Sequence, residues 1–140
     1  MWIGGGGEQV TLKLVAQYGD ACNVGGGKPD VCRQKLEVLK RHCDDLGRDF
    51  GEITRSTSIE PLVLLDRGDD PEKATAAIRG TTSFEEFRQR AWMGTPDEVA
   101  ERIEGLVGTG INYVICYIPR VAYDQTTMRR FAAEVIPKFA

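Results

Sequence analysis

The sequence predicts an α/β fold of four β/α units with parallel strands, forming either a small open sheet or one half of an eight-stranded barrel. Three observations carry this expectation. Short apolar runs alternate with segments of helical period, the order expected of strands joined by right-handed helical crossovers. Glycine clusters stand where strands should hand over to helices. The run 112–118 is apolar almost without interruption, as in a strand covered on both faces.

The chain has 140 residues, 41% hydrophobic and 28% charged, which excludes disordered and fibrous classes. Its length suits a single domain over residues 1–140. A net charge of −3 provides no global field to recruit nucleic acid or an acidic membrane, so neither is expected as a partner and any phosphate site must be local. Cys22, Cys32, Cys43 and Cys116 form no CxxC pair and read as free, mostly buried thiols rather than a metal or redox motif; no metal is expected. No apolar run reaches membrane-spanning length, and the cytoplasm is the default location.

The first strand is brief: Trp2 and Ile3 run directly into Gly4, Gly5, Gly6 and Gly7. A helix should follow at once, because Val10, Leu14 and Val15 recur at helical spacing and Tyr18 extends the stripe. Residues 20–24 read as a second strand closed by Gly25, Gly26 and Gly27. Pro29 and Asp30 then open a helix over about 30–46, with Leu36, Leu39, Cys43 and Leu46 on one face and Gly47 as its stop. Residues 52–60 form a third strand ended by Pro61.

Residues 62–90 are less regular and read as an insertion before the last unit. They hold an apolar patch at Leu62, Val63, Leu64 and Leu65, a short helix near 71–78, and a second helix beginning at Ser83, which with Glu86 fits a capping box. Thr95, Pro96 and Glu98 give the clearest local signal, a cap, a first-turn proline and a reciprocal acid. The helix they start buries Val99, Ile103, Leu106 and Val107. A fourth strand follows over 112–118, and a last helix runs over about 125–136.

Gly4, Gly5, Gly6 and Gly7 are the first candidate site, since bare backbone amides at the positive end of a helix let a phosphate approach closely. Thr11 lies in the first turns and could add a hydroxyl donor. A tight structural turn is the competing reading, and neither a Walker motif nor a GxGxxG context is present. Asn23, at the carboxyl end of a strand, stands either where α/β proteins meet their ligands or in a turn hydrogen bond. Gly25, Gly26, Gly27 and Lys28 read as a flexible loop. His42 reads as solvent-facing or helix-terminal, and Ser56 and Ser58 lack a nucleophile elbow. No residue earns a catalytic assignment from spacing alone.

The segment Ile3 to Glu8, followed by Thr11 to Asn23, resembles the glycine-rich strand, helix and YADxxN stretch of the luciferase-like monooxygenase family, including its coenzyme F420-dependent oxidoreductases. The resemblance continues through Lys35 to Cys43, Gly47 to Asp49, Met93 to Ile103, Gly110 to Tyr113 and Phe131 to Pro137. It implies part of a (β/α)8 barrel, a half TIM barrel corresponding to the family's C-terminal half. Gly4, Gly5, Gly6, Gly7 and Thr11 then match the loop that grips the phosphate of FMN or coenzyme F420, and Asn23 with Val24 a strand end near the cofactor. A flavin- or deazaflavin-dependent oxidoreductase fragment is the implied function; a noncatalytic structural or phosphometabolite-binding module is the alternative. Open sheet edges on a half-barrel predict a homodimer or a complementary half-barrel chain.

Overall fold

The computed structural model describes residues 1–139, and the chain divides into two compact units, Met1–Ser58 with Gly105–Ile115, and Ile59–Glu104 with the residues from Cys116 onward.

The first unit is built on a sheet of order β1-β2-β3-β6, with β1 Trp2–Gly4, β2 Ala21–Asn23, β3 Thr54–Ile59 and β6 Tyr113–Cys116. β1, β2 and β3 are parallel, and their register aligns Trp2 with Ala21 and Thr54, and Gly4 with Asn23 and Ser56. Residues aligned across a sheet share a face, so Trp2, Gly4, Ala21, Asn23, Thr54, Ser56 and Ser58 line one side. The parallel sheet with its α/β units agrees with the expected class and with a partial barrel.

This sheet curls. β1 and β6 are its two edges, three strand spacings or about 14 Å apart if the sheet were flat. The rings of Trp2 and Tyr113 nevertheless meet edge to face with centroids 5.3 Å apart. The two edges therefore converge at their amino-terminal ends.

Helix α1, Thr11–Tyr18, and helix α2, Pro29–Leu46, cover the sheet. Leu12, Val15 and Ala16 of α1 and Cys32, Leu36, Leu39 and Cys43 of α2 are buried together with Cys22, Val24 and Ile53. The boundaries of α2 follow the sequence: Pro29 needs no backbone donor in the first turn, and Gly47 adopts φ +65°, letting its amide and that of Arg48 bond the last carbonyls of the helix. α1 starts at Thr11, three residues later than a helix that follows Gly7 directly. Arg48 closes its other end, donating to the carbonyls of Val15, Ala16 and Gly19 at 3.2, 3.1 and 2.8 Å.

The second unit contains what the sequence shows only as an irregular stretch. β4, Leu62–Leu64, pairs in parallel with β5, Trp92–Gly94, as a separate two-stranded sheet. Between them lie α3, Pro71–Arg79, and α4, Phe84–Arg90, and Val63, Leu65, Phe87 and Ala91 form their core. Strands of three residues carry no readable period, which is why β4 and β5 are hidden in the sequence, whereas the two helices between them are legible from Pro71 and Ser83. Ser83 accepts from the Glu86 amide at 3.2 Å, one half of the expected capping box.

Helix α5, Pro96–Val107, has the complete box. The Glu98 carboxylate accepts from the Thr95 amide at 2.7 Å, and the Glu98 amide donates back to the Thr95 hydroxyl at 3.4 Å. The last helix begins as α6, Thr126–Arg130, then continues through a wider turn at Phe131–Val135 and a tighter one at Ile136–Phe139. All four cysteines are free, with Cys22, Cys32 and Cys43 buried and Cys116 half-buried. Among the described residues no helix is long and apolar enough to cross a membrane.

Two outcomes are expected. Thr95→Ala should lower stability by about 1 kcal/mol in urea denaturation, as loss of a helix cap does. Burial pushes the Cys22 thiol up to about 11, so in the native protein at about pH 8 it should react with a thiol reagent far more slowly than in denaturant; equal rates would contradict the packing described.

Candidate functional site

Parallel pairing brings the carboxyl ends of β1, β2 and β3 to one edge. Gly5 leaves β1 with φ +119° and donates to the Asn23 carbonyl at 3.2 Å. The Val24 amide continues the ladder to Ser56 at 2.9 Å. Asn23 is the last residue of β2, half-buried, and its Nδ2 donates to Ser58 Oγ at 2.8 Å. The side chain thus makes a hydrogen bond across to β3 rather than within its own turn, and it stands beside the glycine loop.

The loop itself is shaped by what its glycines touch. A Cβ on Gly7 would lie 2.9 Å from Thr11 Oγ1, and one on Gly5 would lie 3.4 Å from Thr11 Cγ2. Thr11 is therefore packed into the curve of the loop as the first residue of α1. A Cβ on Gly6 would lie 3.3 Å from Lys35 Cε, whereas one on Gly4 would meet nothing within 4 Å. Gly7 is held to glycine by its close approach to Thr11 and Gly5 by its positive φ, Gly6 sits beside the movable end of Lys35, and Gly4 faces open space.

Among the described residues the Gly6 and Gly7 amides make no hydrogen bond. Two free amides, a neighbouring ammonium and a position without a side chain form a cradle that suits an oxyanion such as a phosphate. The residues present therefore fit the phosphate end of a flavin or deazaflavin; they include no group for redox chemistry of their own.

Of the residues between the glycines and the helix, Glu8 is held by α2. Glu8 accepts from Lys35 Nζ at 2.8 Å and from Gln34 Nε2 at 2.9 Å. Its carbonyl oxygen lies 2.8 Å from His42 Nε2, which donates to it. The Lys35 hydrogen bond and charge, with help from Gln34 and Arg41, hold the Glu8 carboxyl below its ordinary value. His42 is thus half-buried and occupied in fixing the loop, not solvent-facing at a helix end.

The second glycine cluster serves the same edge in a structural way. Gly25–Gly27 forms one tight turn with positive φ throughout. The Gly27 amide donates to Thr57 Oγ1 at 2.9 Å, and a Cβ on Gly25 would lie 2.3 Å from Cys32 Sγ. This loop is packed rather than flexible. Ser58, Lys35, Gln34 and His42 have no signal in the sequence, since their contacts with Asn23 and Glu8 join residues 26 to 35 positions apart. The three consecutive hydroxyls of Ser56, Thr57 and Ser58 are the one pattern that could have marked this strand as a polar neighbour of the site. Among the described residues, no three His, Cys, Asp or Glu side chains gather as a metal site.

No family model and no curated protein matches the chain. Solved structures do. A coenzyme F420-dependent tetrahydromethanopterin reductase from Methanopyrus kandleri superposes with a TM-score of 0.73 at 16% identity, covering 99% of this chain and 50% of that one. An EDTA monooxygenase from Chelativorans sp. BNC1 gives 0.76 at 14% identity, covering 97% and 43%. The oxygenating constituent of 3,6-diketocamphane monooxygenase of Pseudomonas putida, a Baeyer-Villiger enzyme in complex with FMN, gives 0.64 at 13% identity, covering 98% and 47%. The chain thus shares its fold with these structures and spans about half the length of each.

Gly25 and Gly4 should respond differently to a methyl group. Gly25→Ala, with φ +79° and Cys32 in the way, is expected to cost about 2 kcal/mol or more in stability. Gly4→Ala should stay within about 0.5 kcal/mol of the parent protein. Thermal and urea unfolding of the two variants checks both.

Proposed function

We propose that this chain is a half-barrel of a flavin- or deazaflavin-dependent oxidoreductase and retains the loop that grips the cofactor's phosphate. The observation that carries the reading is the position of that loop. Gly4, Gly5, Gly6 and Gly7 leave the carboxyl end of a parallel strand, with two unengaged amides, in a fold shared with proteins described as F420-dependent and as complexed with FMN. Carboxyl ends of parallel strands are where barrel and open-sheet proteins hold ligands.

In this reading the Gly6 and Gly7 amides donate to phosphate oxygens, and the Thr11 hydroxyl adds a donor from the first turn of α1. Gly4 leaves room for the ligand where a side chain would intrude. Asn23, fixed by Ser58, stands beside the loop on the neighbouring strand. The bound flavin or deazaflavin supplies two-electron transfer. The protein's part is binding, orientation and exclusion of water, and this half contributes the phosphate end of that task.

A partner completes the site. β1 is a sheet edge with unpaired backbone groups, and Trp2 and Tyr113 are each half-exposed. An edge of this kind is a template for further strands. A second copy of the chain, or a complementary half-barrel chain, supplies them. The same open edge supports the alternative of a noncatalytic module whose role is assembly or the binding of another phosphorylated metabolite.

Titration of the full chain with FMN and with coenzyme F420, followed by fluorescence, tests the proposal. Saturable binding at micromolar concentration is expected, and Gly4→Asp should abolish it with an unchanged fold, because a carboxylate would then occupy the open position. Absence of binding at millimolar concentration would overturn the cofactor reading in favour of the assembly module.

A further inference from the structure

Lys35 packs its stem against the glycine loop. Its Cε lies 3.3 Å from the position of a Gly6 Cβ, while its Nζ donates to Glu8 at 2.8 Å. It belongs to α2, outside the glycine motif, and its ammonium has three N–H donors, of which Glu8 Oε1 takes one. Glu8 is also bonded by Gln34 at 2.9 Å and faces Arg41. The carboxylate therefore keeps a polar partner when the ammonium turns away. The ion pair is part-buried, with the Lys35 and Glu8 side chains 21% and 33% exposed, so it is screened less than a pair on the open surface.

We propose that Lys35 is the charged ligand of the phosphate at this loop, and that Glu8 competes with the phosphate for its ammonium. The inference rests on the reading of residues 4–7 as the anion site and adds to it a specific residue and a means of control. A phosphate on the free amides of Gly6 and Gly7 lies within reach of an ammonium whose stem already touches Gly6. Lys35 then turns from Glu8 toward the incoming anion, and Gln34 retains the carboxylate. Without a phosphate, Glu8 holds the lysine in a defined place; a ligand lacking phosphate gains nothing from it. The pair thus favours phosphorylated ligands over their dephosphorylated forms, and it sets the affinity below what a free lysine would give.

Two substitutions break the same ion pair, which separates a ligand role from a structural one. If the pair only braces the loop, Lys35→Met and Glu8→Gln shift binding in the same direction. If Lys35 is the ligand and Glu8 its competitor, they shift it in opposite directions. Titration of the full-length protein and both variants with FMN is expected to show binding about tenfold weaker in Lys35→Met, as for loss of a charge-assisted hydrogen bond. Its dependence on salt should also be shallower. Glu8→Gln is expected to bind FMN more tightly than the parent. Riboflavin, which has the same ring without the phosphate, should bind all three proteins alike.

Unchanged FMN binding in Lys35→Met, or equal or weaker binding in Glu8→Gln, would overturn the exchange while leaving the glycine loop as the phosphate site. Equal effects of the substitutions on riboflavin and FMN would overturn it as well. Failure of the parent protein to bind FMN would overturn this inference together with the reading on which it rests.

Discussion

Parallel pairing of β1 with β2 and of β2 with β3 is the constraint on which the candidate site depends. Parallel strands all end on the same edge, so residues far apart in sequence arrive there together without any direct signal between them. The register does the rest by placing Gly4 beside Asn23 and Ser56 on one face. A slip of one residue would exchange the faces. Asn23 would then point toward the helices and Cys22 toward the ligand side. The buried packing of Cys22 and Thr57 on the helix-facing side opposes that slip, so the hydrophobic layer and the polar site specify each other.

Helix α2 is the second support. It is 18 residues long and reaches the loop after β1 through Lys35, Gln34 and His42, while Cys32 and its first turn pack on the loop after β2. Beyond its C-terminus, Arg48 closes α1. One helix and the residue following its stop thus hold both loops at the ligand edge and the helix between them. Most of its core face is apolar, but the contacts that shape the site are polar. Burial fixes where α2 lies, and hydrogen bonds fix the loops against it.

The legible parts of the molecule are those in which local chemistry agrees with the final structure. α2, with its proline start and glycine stop, and α5, with its reciprocal cap, could be read from their own residues. So could the parallel strands, from the alternation of short apolar runs with helical segments. β4 and β5 could not, because three-residue strands lack a period and their pairing joins Leu62 to Trp92. The start of α1 is less legible for a different reason: helical spacing does not show that Glu8, the residue after the glycines, is tied to α2. At the site, the glycines, Thr11 and Asn23 stand out by type and position. Lys35 and Ser58 are ordinary members of a helix and a strand until the fold brings them to the loop.

β3 is unusual in what it gives up. Three consecutive positions carry hydroxyls instead of the β-branched aliphatic residues that best suit an inner strand, and each hydroxyl has a different task. Ser56 donates to the Cys22 carbonyl at 2.7 Å, Thr57 accepts from Gly27, and Ser58 accepts from Asn23. The strand works as a polar spine, tying a neighbouring strand, a helix entrance and the ligand edge in three successive residues. Evolutionary drift along it should therefore be narrow. Replacing Thr57 with valine would keep shape and strand preference yet leave the Gly27 amide buried without an acceptor, so a substitution that looks conservative by volume is among the least conservative this sheet could undergo.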